Sequence, residues 1–230
     1  EKSTLEKLVY MTSRLRRLPY LDPSLPTFVL VGAPNVGKSS LVVSLSSGCP
    51  EVCDYPFTTK SIKVGHFDAG GVRHQVTDTP GLLRRPDSER NAMEGLTLAA
   101  MEFLENNSVV FVMDLSGQCG TPVLHQLAIR EELRSRFGLG LGLGSASPSG
   151  FASRWVDVFT KADLFRFRPG QEDMQHETKV DAGKVEAGEF LDENHQVAMD
   201  AVPDALWVST KQDLNIDMLK TNMLRTINNF

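Results

Sequence analysis

Eight consecutive residues, Gly32-Ala33-Pro34-Asn35-Val36-Gly37-Lys38-Ser39, have the types and spacing needed to hold phosphate groups. They fit the pattern Gly-x4-Gly-Lys-Ser and directly follow the β-type run Thr27–Val31, which is the context that a phosphate-binding loop requires. Glycines let the backbone close around an anion, and the first N–H groups of the following helix point at it. Lys38 would reach the β- and γ-phosphates of a nucleotide, while the Ser39 hydroxyl would bind Mg²⁺. A chance glycine-rich turn is the alternative interpretation.

A second group of residues, Asp78-Thr79-Pro80-Gly81, follows the β-type run of residues 73–77. At this strand end Asp78 can hold the outer shell of the metal, and Gly81 can present its backbone N–H to the γ-phosphate. Asp-Thr-Pro-Gly is also an ordinary turn sequence. The pattern therefore predicts a metal and γ-phosphate contact, with a plain turn as the alternative.

The choice of base should depend on Thr160-Lys161-Ala162-Asp163, which follows the β-type run of residues 155–159. An Asp163 carboxylate would pair with the ring N–H and the exocyclic amine of guanine, a pair of donors that adenine does not offer. The usual tetrad of this kind begins with Asn, and Thr160 lacks the paired donor and acceptor of an amide. Ser209 and Thr210, after a later strand, would support the base through a backbone N–H. The sequence predicts guanine specificity with weakened affinity. An ATPase that has drifted from guanine specificity remains an open alternative.

The elements that must position these residues alternate between strand and helix. Such alternation predicts right-handed βαβ units, and with the phosphate loop it predicts a three-layer α/β/α P-loop NTPase with a mostly parallel six-stranded sheet. Residues 1–26 read as an amphipathic basic helix and a Pro-rich connector, and residues 27–230 as the GTPase domain. Flexible insertions are expected at 138–150, which is rich in Gly and Ser, and at 166–204, which has ten acidic and four basic residues.

Composition excludes several classes of protein. The chain has 230 residues, 41% hydrophobic and 23% charged, which is typical of a globular protein with a sizeable core. Its apolar runs are too short to cross a membrane, so no membrane partner is expected. Three cysteines without a Cys-x-x-Cys pair predict neither a disulfide framework nor a zinc site. A net charge of -5 argues against nucleic-acid binding by the whole surface but allows a local basic patch.

The order of five motifs resembles the Obg-related GTPases, and among these the nucleolar GTP-binding protein branch. The motifs are residues 32–40, Tyr55-Pro56-Phe57-Thr58-Thr59-Lys60-Ser61, Val64-Gly65-His66, residues 78–82 and Cys119-Gly120. The similarity extends over roughly residues 5–137 and thins afterwards. Members of this branch assist assembly of the large ribosomal subunit, so the resemblance implies a GTPase that uses GTP, GDP and Mg²⁺.

The resemblance also implies roles for individual residues. Thr59 would be the switch I threonine that closes over Mg²⁺ and the γ-phosphate, and residues 81–91 would form switch II. Lys38, Thr59 and Gly81 are the expected catalytic residues, and Ser39, Thr59 and Asp78 the expected metal ligands. The expected nucleotide contacts are Gly32, Asn35, Val36, Gly37, Lys38, Ser39, Ser40, Thr160, Lys161, Asp163, Ser209 and Thr210.

Leu82 stands where many GTPases place the Gln that orients the attacking water, and a leucine side chain can orient nothing. Resemblance to GTPases with a hydrophobic residue there implies slow hydrolysis, stimulated by a partner or by K⁺. Asn35 would hold that K⁺ ion, or it is an ordinary turn residue. Arg84, Arg85 and Arg90 could supply an arginine finger, although a solvated basic face is the favoured interpretation.

Two functions remain after these steps. One is a GTP-hydrolysing assembly factor that contacts immature ribosomal RNA, ribosomal proteins and other assembly factors through its switches and basic helix. The other is a hydrolysis-deficient scaffold on the pre-ribosome, favoured by Leu82 and Thr160. The divergence of the chain favours an organelle, mitochondrion or plastid, and therefore a transit segment upstream of Glu1, with the nucleolus as the alternative.

Overall fold

The computed structural model describes residues 22, 24–54, 61–91, 94–95, 97–98, 107–136, 154–166, 189–190 and 193–228. In these residues the strands are β1 (Thr27–Val31), β2 (Glu51–Asp54), β3 (Ser61–Ala69), β4 (Val72–Asp78), β5 (Asn107–Asp114), β6 (Trp155–Thr160), β7 (Phe165–Arg166), β8 (Glu189–Phe190) and β9 (Leu206–Trp207). The α-helices are α1 (Lys38–Leu45), α2 (Val123–Arg136), α3 (Glu193–Ala201) and α4 (Ile216–Asn228). Short 3₁₀ helices span Asp87–Glu89 and Ala162–Leu164.

The main sheet has the strand order β2-β3-β4-β1-β5-β6-β9. β1 pairs in parallel with β4 and β5, and β6 pairs in parallel with β5 and β9. β3 is antiparallel to β4, and β2 is antiparallel to β3. The predicted α/β class with a mostly parallel sheet is confirmed. The sheet has seven strands instead of six because Glu51–Asp54 adds an antiparallel edge strand.

β1 determines where a ligand can bind. All five of its residues are buried, as expected for a strand covered on both faces. In the sheet β1 lies between β4 and β5. The strands that follow β1 in the chain, up to β4, therefore lie on one side of it, and the chain then crosses to the other side to form β5. Open α/β sheets form a crevice at such a point, outside the carboxyl ends of the strands. The loops after β1, β4, β6 and β9 all lie at this edge.

The region between β6 and β9 is more ordered at its end than the expected insertion at 166–204 implied. Helix α3 packs against α2, with Ala198 and Val202 buried. The buried His195 side chain contacts the Leu115 carbonyl through Nε2, and its ring meets Phe165 edge to face at 5.5 Å. The interpretation as a solvated insertion is therefore wrong for residues 193–202, because this stretch buries apolar surface in the domain core.

Other expectations fall outside the described residues. The basic helix predicted in residues 1–26 lies there apart from residues 22 and 24–26, and so does the whole of the 138–150 segment. Within the described part, no helix combines the length and apolarity needed to span a bilayer. The same residues contain no group of three or more His, Cys, Asp or Glu side chains that could together hold a metal ion.

His74 belongs to an aromatic stack on one face of the sheet. Its ring lies 5.2 Å from that of Phe67, and the Phe67 ring lies 5.9 Å from that of Phe28. The His74 Nδ1–H donates to the Val72 carbonyl at 3.0 Å. Burial lowers the pKa of His74 below its ordinary value of 6.5.

We expect His74 to make the fold sensitive to acid. Because the folded pKa is depressed, the contribution of neutral His74 to stability is full above 6.5 and is lost as pH falls through the folded pKa. In urea unfolding at several pH values, His74→Phe should keep the stack and flatten the acid-side loss of stability. His66→Phe, at a half-buried position on β3, is the control. An unchanged acid limb in His74→Phe would assign the sensitivity to other groups.

Candidate functional site

The loop between β1 and α1 curls tightly because three of its residues adopt positive φ angles. The φ angle is +153° at Gly32, +60° at Asn35 and +106° at Gly37. Gly37 directly precedes α1, and its carbonyl accepts the N–H groups of Ser40 and Leu41 at 3.1 and 3.0 Å. The first N–H groups of a helix have no partner within the helix and attract anions. This arrangement can hold phosphate groups.

The Lys38 side chain lies across this loop. Its Nζ donates to the carbonyls of Gly32 and Ala33 at 3.2 and 2.7 Å, and only 5% of the residue is exposed. A buried ammonium group needs such partners because desolvation of an unpaired charge is costly. The loop therefore carries a positive charge at its centre, next to the amino terminus of α1.

Ser39 and Asp78 come together although 38 residues separate them. The Ser39 hydroxyl donates to Asp78 Oδ2, and Asp78 is only 8% exposed. Burial raises the pKa of Asp78, while the Ser39 hydrogen bond and the Lys38 charge oppose that rise. Its other oxygen, Oδ1, is buried without a hydrogen-bond partner among the described residues. A buried orphan carboxylate oxygen beside a hydroxyl is the donor set that a hard cation such as Mg²⁺ prefers, so these residues fit the predicted metal.

Gly81 passes so close to the phosphate loop that only glycine fits. A Cβ atom at this position would lie 2.5 Å from the Pro34 backbone nitrogen. The next residue, Leu82, donates its N–H to the Gly32 carbonyl at 3.0 Å, and its side chain is fully buried. The backbone at 81–82 is therefore fixed beside the loop, and the Leu82 side chain belongs to the hydrophobic core.

The predicted base-reading residues meet because β6 and β9 are parallel neighbours. Asp163 lies in the 3₁₀ helix after β6, and its Oδ1 accepts the Ser209 hydroxyl at 2.6 Å. The Ala162 N–H donates to the Val208 carbonyl at 3.1 Å, which joins the two loops through the backbone. Thr210 follows Ser209 at the same end of the sheet. Asp163 is half-buried, so its carboxylate remains accessible to a ligand.

Thr160 lies beneath the end of the phosphate loop. Its hydroxyl is within hydrogen-bond distance of two carbonyls, those of Val36 at 2.6 Å and Met113 at 3.1 Å. A hydroxyl has one hydrogen to donate, so the two carbonyls must share it. Thr160 thus links the phosphate loop to β5 and β6, and the fully buried contact explains how threonine can occupy a position where Asn is usual.

Lys161 has a left-handed backbone, with φ at +58°, and its Nζ pairs with Asp114 Oδ2 at 2.6 Å. Asp114 is fully buried, and it also accepts the N–H groups of Ser116 and Cys119 at 2.8 and 2.9 Å. The structure makes it the residue that positions Lys161, a role that sequence spacing alone could not reveal.

Glu94 organises the segment 81–91, and the sequence interpretation missed it. Its carboxylate, 1% exposed, accepts the N–H groups of Leu83 and Asn91, both at 3.0 Å. The Asn91 side chain in turn accepts the Glu94 N–H at 2.9 Å. This reciprocal pair is a capping box, and the Asn-x-x-Glu spacing in the sequence was the signal that could have found it.

The three arginines of this segment have different surroundings. Arg85 pairs with the buried Glu94 at 3.2 Å, and Arg90 pairs with Glu132 on α2. Arg84 is exposed. The expectation of a solvated basic face therefore holds for Arg84 but is wrong for Arg85 and Arg90, because carboxylates from neighbouring helical segments bind them.

One predicted site residue, Thr59, lies outside the described residues together with the rest of 55–60. The others gather at the carboxyl edge of the sheet in two groups. The phosphate side consists of residues 32–40, Asp78 and Gly81, and the base side consists of Thr160, Lys161, Asp163, Ser209 and Thr210. Thr160 connects them, since its hydroxyl contacts the Val36 carbonyl.

Comparison with known sequences agrees with this geometry. Residues 27–136 match the family described as 50S ribosome-binding GTPase. The chain is 42% identical over 137 residues to Nucleolar GTP-binding protein 1 of Caenorhabditis elegans, covering 60% of this chain and 20% of that protein. Against the Drosophila melanogaster protein of the same name it is 37% identical over 164 residues, covering 71% and 24%. The chain thus spans about a fifth to a quarter of the length of these relatives.

Solved structures share the fold. A protein of Plasmodium falciparum, provisionally described as nucleolar GTP-binding protein 1, has a similar structure. It superposes with a TM-score of 0.60 at 24% identity, covering 92% of this chain and 91% of that one. The G domain of the Thermotoga maritima iron transporter FeoB superposes with a TM-score of 0.54 at 17% identity, covering 88% and 98%. At these identities the structural likeness is evidence of fold alone. Together, the loop geometry and the sequence matches show that this chain contains a P-loop GTPase domain, whose sequence is similar to that of the nucleolar GTP-binding proteins.

Proposed function

We propose that the chain binds GTP and GDP with Mg²⁺, hydrolyses GTP, and serves as the G domain of an assembly factor for the large ribosomal subunit. The observation that carries this proposal is the pairing of Asp163 with Ser209 at the sheet edge that also holds the Lys38 loop. A carboxylate beside the phosphate loop offers two acceptors to a base. Guanine presents the matching two donors, whereas adenine does not.

On the phosphate side, Lys38 and the amino terminus of α1 bind the β- and γ-phosphates. The Gly81 N–H donates to the γ-phosphate, which it can approach because glycine lies flat against Pro34. Ser39, Asp78 and Thr59 hold the metal. When bound, Mg²⁺ would neutralise negative charge on the phosphates during transfer. The unpaired Oδ1 of Asp78 supports this assignment.

Hydrolysis by this chain alone is slow. Supporting this, the fully buried Leu82 side chain cannot orient a water molecule. Stimulation then comes from a partner or from K⁺ held by Asn35, which is exposed and has a φ angle of +60°. The same burial of Leu82 favours the second candidate, a hydrolysis-deficient scaffold that binds the pre-ribosome according to its nucleotide.

Thr59 and the residues that follow Gly81 act as switches. Contacts to a γ-phosphate order such loops, and its loss releases them, so partner surfaces change with the nucleotide. The partners are immature large-subunit RNA, ribosomal proteins and other assembly factors, in keeping with the names of the relatives. Those relatives are named nucleolar, which favours the nucleolus, and nothing in the comparisons supports the organellar prediction.

Titration calorimetry tests the proposal. The purified chain should bind GDP and a non-hydrolysable GTP analogue with Mg²⁺ at micromolar Kd or better, and an ATP analogue at least about 100-fold more weakly. Phosphate release from GTP in KCl and in NaCl then separates the two candidates. Measurable turnover supports the enzyme, and its absence with and without a pre-ribosomal extract supports the scaffold. Equal affinity for both analogues would refute the guanine assignment.

The shared hydroxyl of Thr160 gives a sharper prediction. Thr160→Asn supplies two N–H donors to the two carbonyls that now share one, and it should raise GDP affinity about fivefold. Thr160→Val removes the donor and should lower GDP affinity about tenfold, because two buried carbonyls lose a partner. Calorimetry on the two variants and the parent chain measures both effects. If Thr160→Asn bound GDP more weakly than the parent chain, the surroundings of residue 160 would fit threonine better than asparagine.

A further inference from the structure

An open cavity of about 810 Å³ lies between the segment 84–86 and helix α2. The Arg90 to Glu132 ion pair joins the two walls. The lining residues are Arg84, Arg85, Pro86, His125, Glu132, Ser135 and Arg136.

This cavity is positively charged in a chain whose net charge is -5. Three of its lining residues are arginines, and one, Glu132, is a carboxylate. Glu132 is bound to Arg90, and the buried Glu94 partly offsets Arg85. Arg84 and Arg136 are the exposed arginines of this lining.

The chemistry of the lining limits what can bind. Arginine presents a planar fork of donors that matches phosphate oxygens, and Ser135 and His125 add shorter donors. Protein partners usually place an apolar or aromatic core at an interface, and Pro86 is the only apolar lining residue. The lining also contains no Phe, Tyr or Trp on which a base could stack. These features fit a nucleic-acid backbone better than an acidic protein segment.

We propose that this cavity binds the phosphate backbone of RNA, without reading its sequence. The inference rests on the proposed function, since it names the surface by which the GTPase holds ribosomal RNA. Arg84 and Arg85 belong to the segment 81–91, so the RNA contact adjoins the part of the chain that responds to nucleotide. Backbone recognition by arginine makes the affinity steeply dependent on salt.

Fluorescence anisotropy with a labelled single-stranded RNA of about 20 nucleotides tests this proposal, with GDP and Mg²⁺ present throughout. The double variant Arg84→Ala/Arg136→Ala removes two charges from the cavity. Arg73→Ala/Arg225→Ala is the matched control, because it removes two exposed charges from β4 and α4 outside the cavity. Labelled poly-glutamate replaces RNA in a parallel titration, and GDP affinity is measured by calorimetry for the parent chain and each variant.

The cavity variant should bind RNA about tenfold more weakly than the parent, and its slope of log K against log salt should be less steep by about 1.4, two phosphates at 0.7 each. The control should stay within about twofold of the parent. Arg84→Ala alone, at an exposed position, should lower RNA affinity about threefold. This single variant still tests the proposal if the double variant does not fold. Equal losses in cavity variant and control, or parent binding to poly-glutamate as tight as to RNA, would overturn the proposal.

The GDP titrations separate this proposal from the proposed function. Arg136→Ala lies on α2, outside the nucleotide site, and should leave GDP affinity unchanged. A parent chain that binds GDP but not RNA overturns the RNA surface and leaves the GTPase assignment standing. A parent chain that binds RNA through Arg84 and Arg136 but binds no guanine nucleotide refutes the proposed function and leaves the cavity as an RNA site.

Discussion

Gly32→Ala lowers the free energy of unfolding by about 3 kcal/mol or more and abolishes tight nucleotide binding. A Cβ atom at Gly32 would lie 2.2 Å from the Val112 backbone oxygen on β5, a distance that no side-chain rotation can relieve. The φ angle of +153° adds strain for any residue other than glycine. Backbone strain of this kind costs roughly 1–3 kcal/mol, and overpacking costs a similar amount. Urea unfolding monitored by circular dichroism measures the change.

Gly70→Ala is the matched control for that substitution. Gly70 lies in the turn between β3 and β4 with a φ of +60°, but nothing lies within 4 Å of the position that its Cβ would take. The loss of stability in Gly70→Ala should reflect backbone strain alone, about 1 kcal/mol. If Gly32→Ala cost no more than Gly70→Ala, the phosphate loop would be able to move away from β5, and its rigidity would not be set by that contact.

Asp163→Asn lowers affinity for GDP about 100-fold or more while leaving the fold intact. The asparagine replaces an acceptor oxygen by an N–H₂ group, so one guanine donor loses its charged partner and faces another donor. Ser209 can still donate to the remaining oxygen, which is why stability should change little. Calorimetry with GDP and urea unfolding on the same samples separate the two quantities.

Xanthosine diphosphate provides the internal check on Asp163→Asn. Xanthine carries a carbonyl where guanine carries the exocyclic amine, so it accepts from the new amide, and the variant should prefer it by about tenfold or more over GDP. Asp204→Asn, at an exposed position before β9, is the charge-matched control and should behave as the parent. Retained GDP affinity in Asp163→Asn would mean that another group reads the base.

Gly32 and Asp163 belong to different halves of one site, and Thr160 connects the two halves. Its hydroxyl reaches the Val36 carbonyl in the phosphate loop at 2.6 Å, and Asp163 follows three residues later. A shift of Thr160 would therefore move the base-reading loop relative to the phosphates. This coupling is the reason why we expect the Thr160 variants to change GDP affinity although the hydroxyl contacts only protein.

Local sequence determined the fold class and most site residues. Residues 28–31 are wholly apolar and the eight residues after Val31 have fixed spacing, so strand, loop and helix could be predicted without tertiary information. The Asn91-x-x-Glu94 spacing is a similar local signal, since it predicts the capping box that the structure shows. These features depend on backbone conformation within a few residues, which composition and spacing specify directly.

Only the tertiary structure decided the contacts between distant residues. The Asp114 to Lys161 pair, the orphan oxygen of Asp78 and the burial of Leu82 depend on which strands become neighbours. The same holds for residues 193–202, since an acidic, aromatic-poor segment gives no sign that its last helix packs against α2 and buries Ala198. Charge partners such as Glu132 for Arg90 come from another element, and pairing across elements is set by the sheet order, which no local pattern encodes.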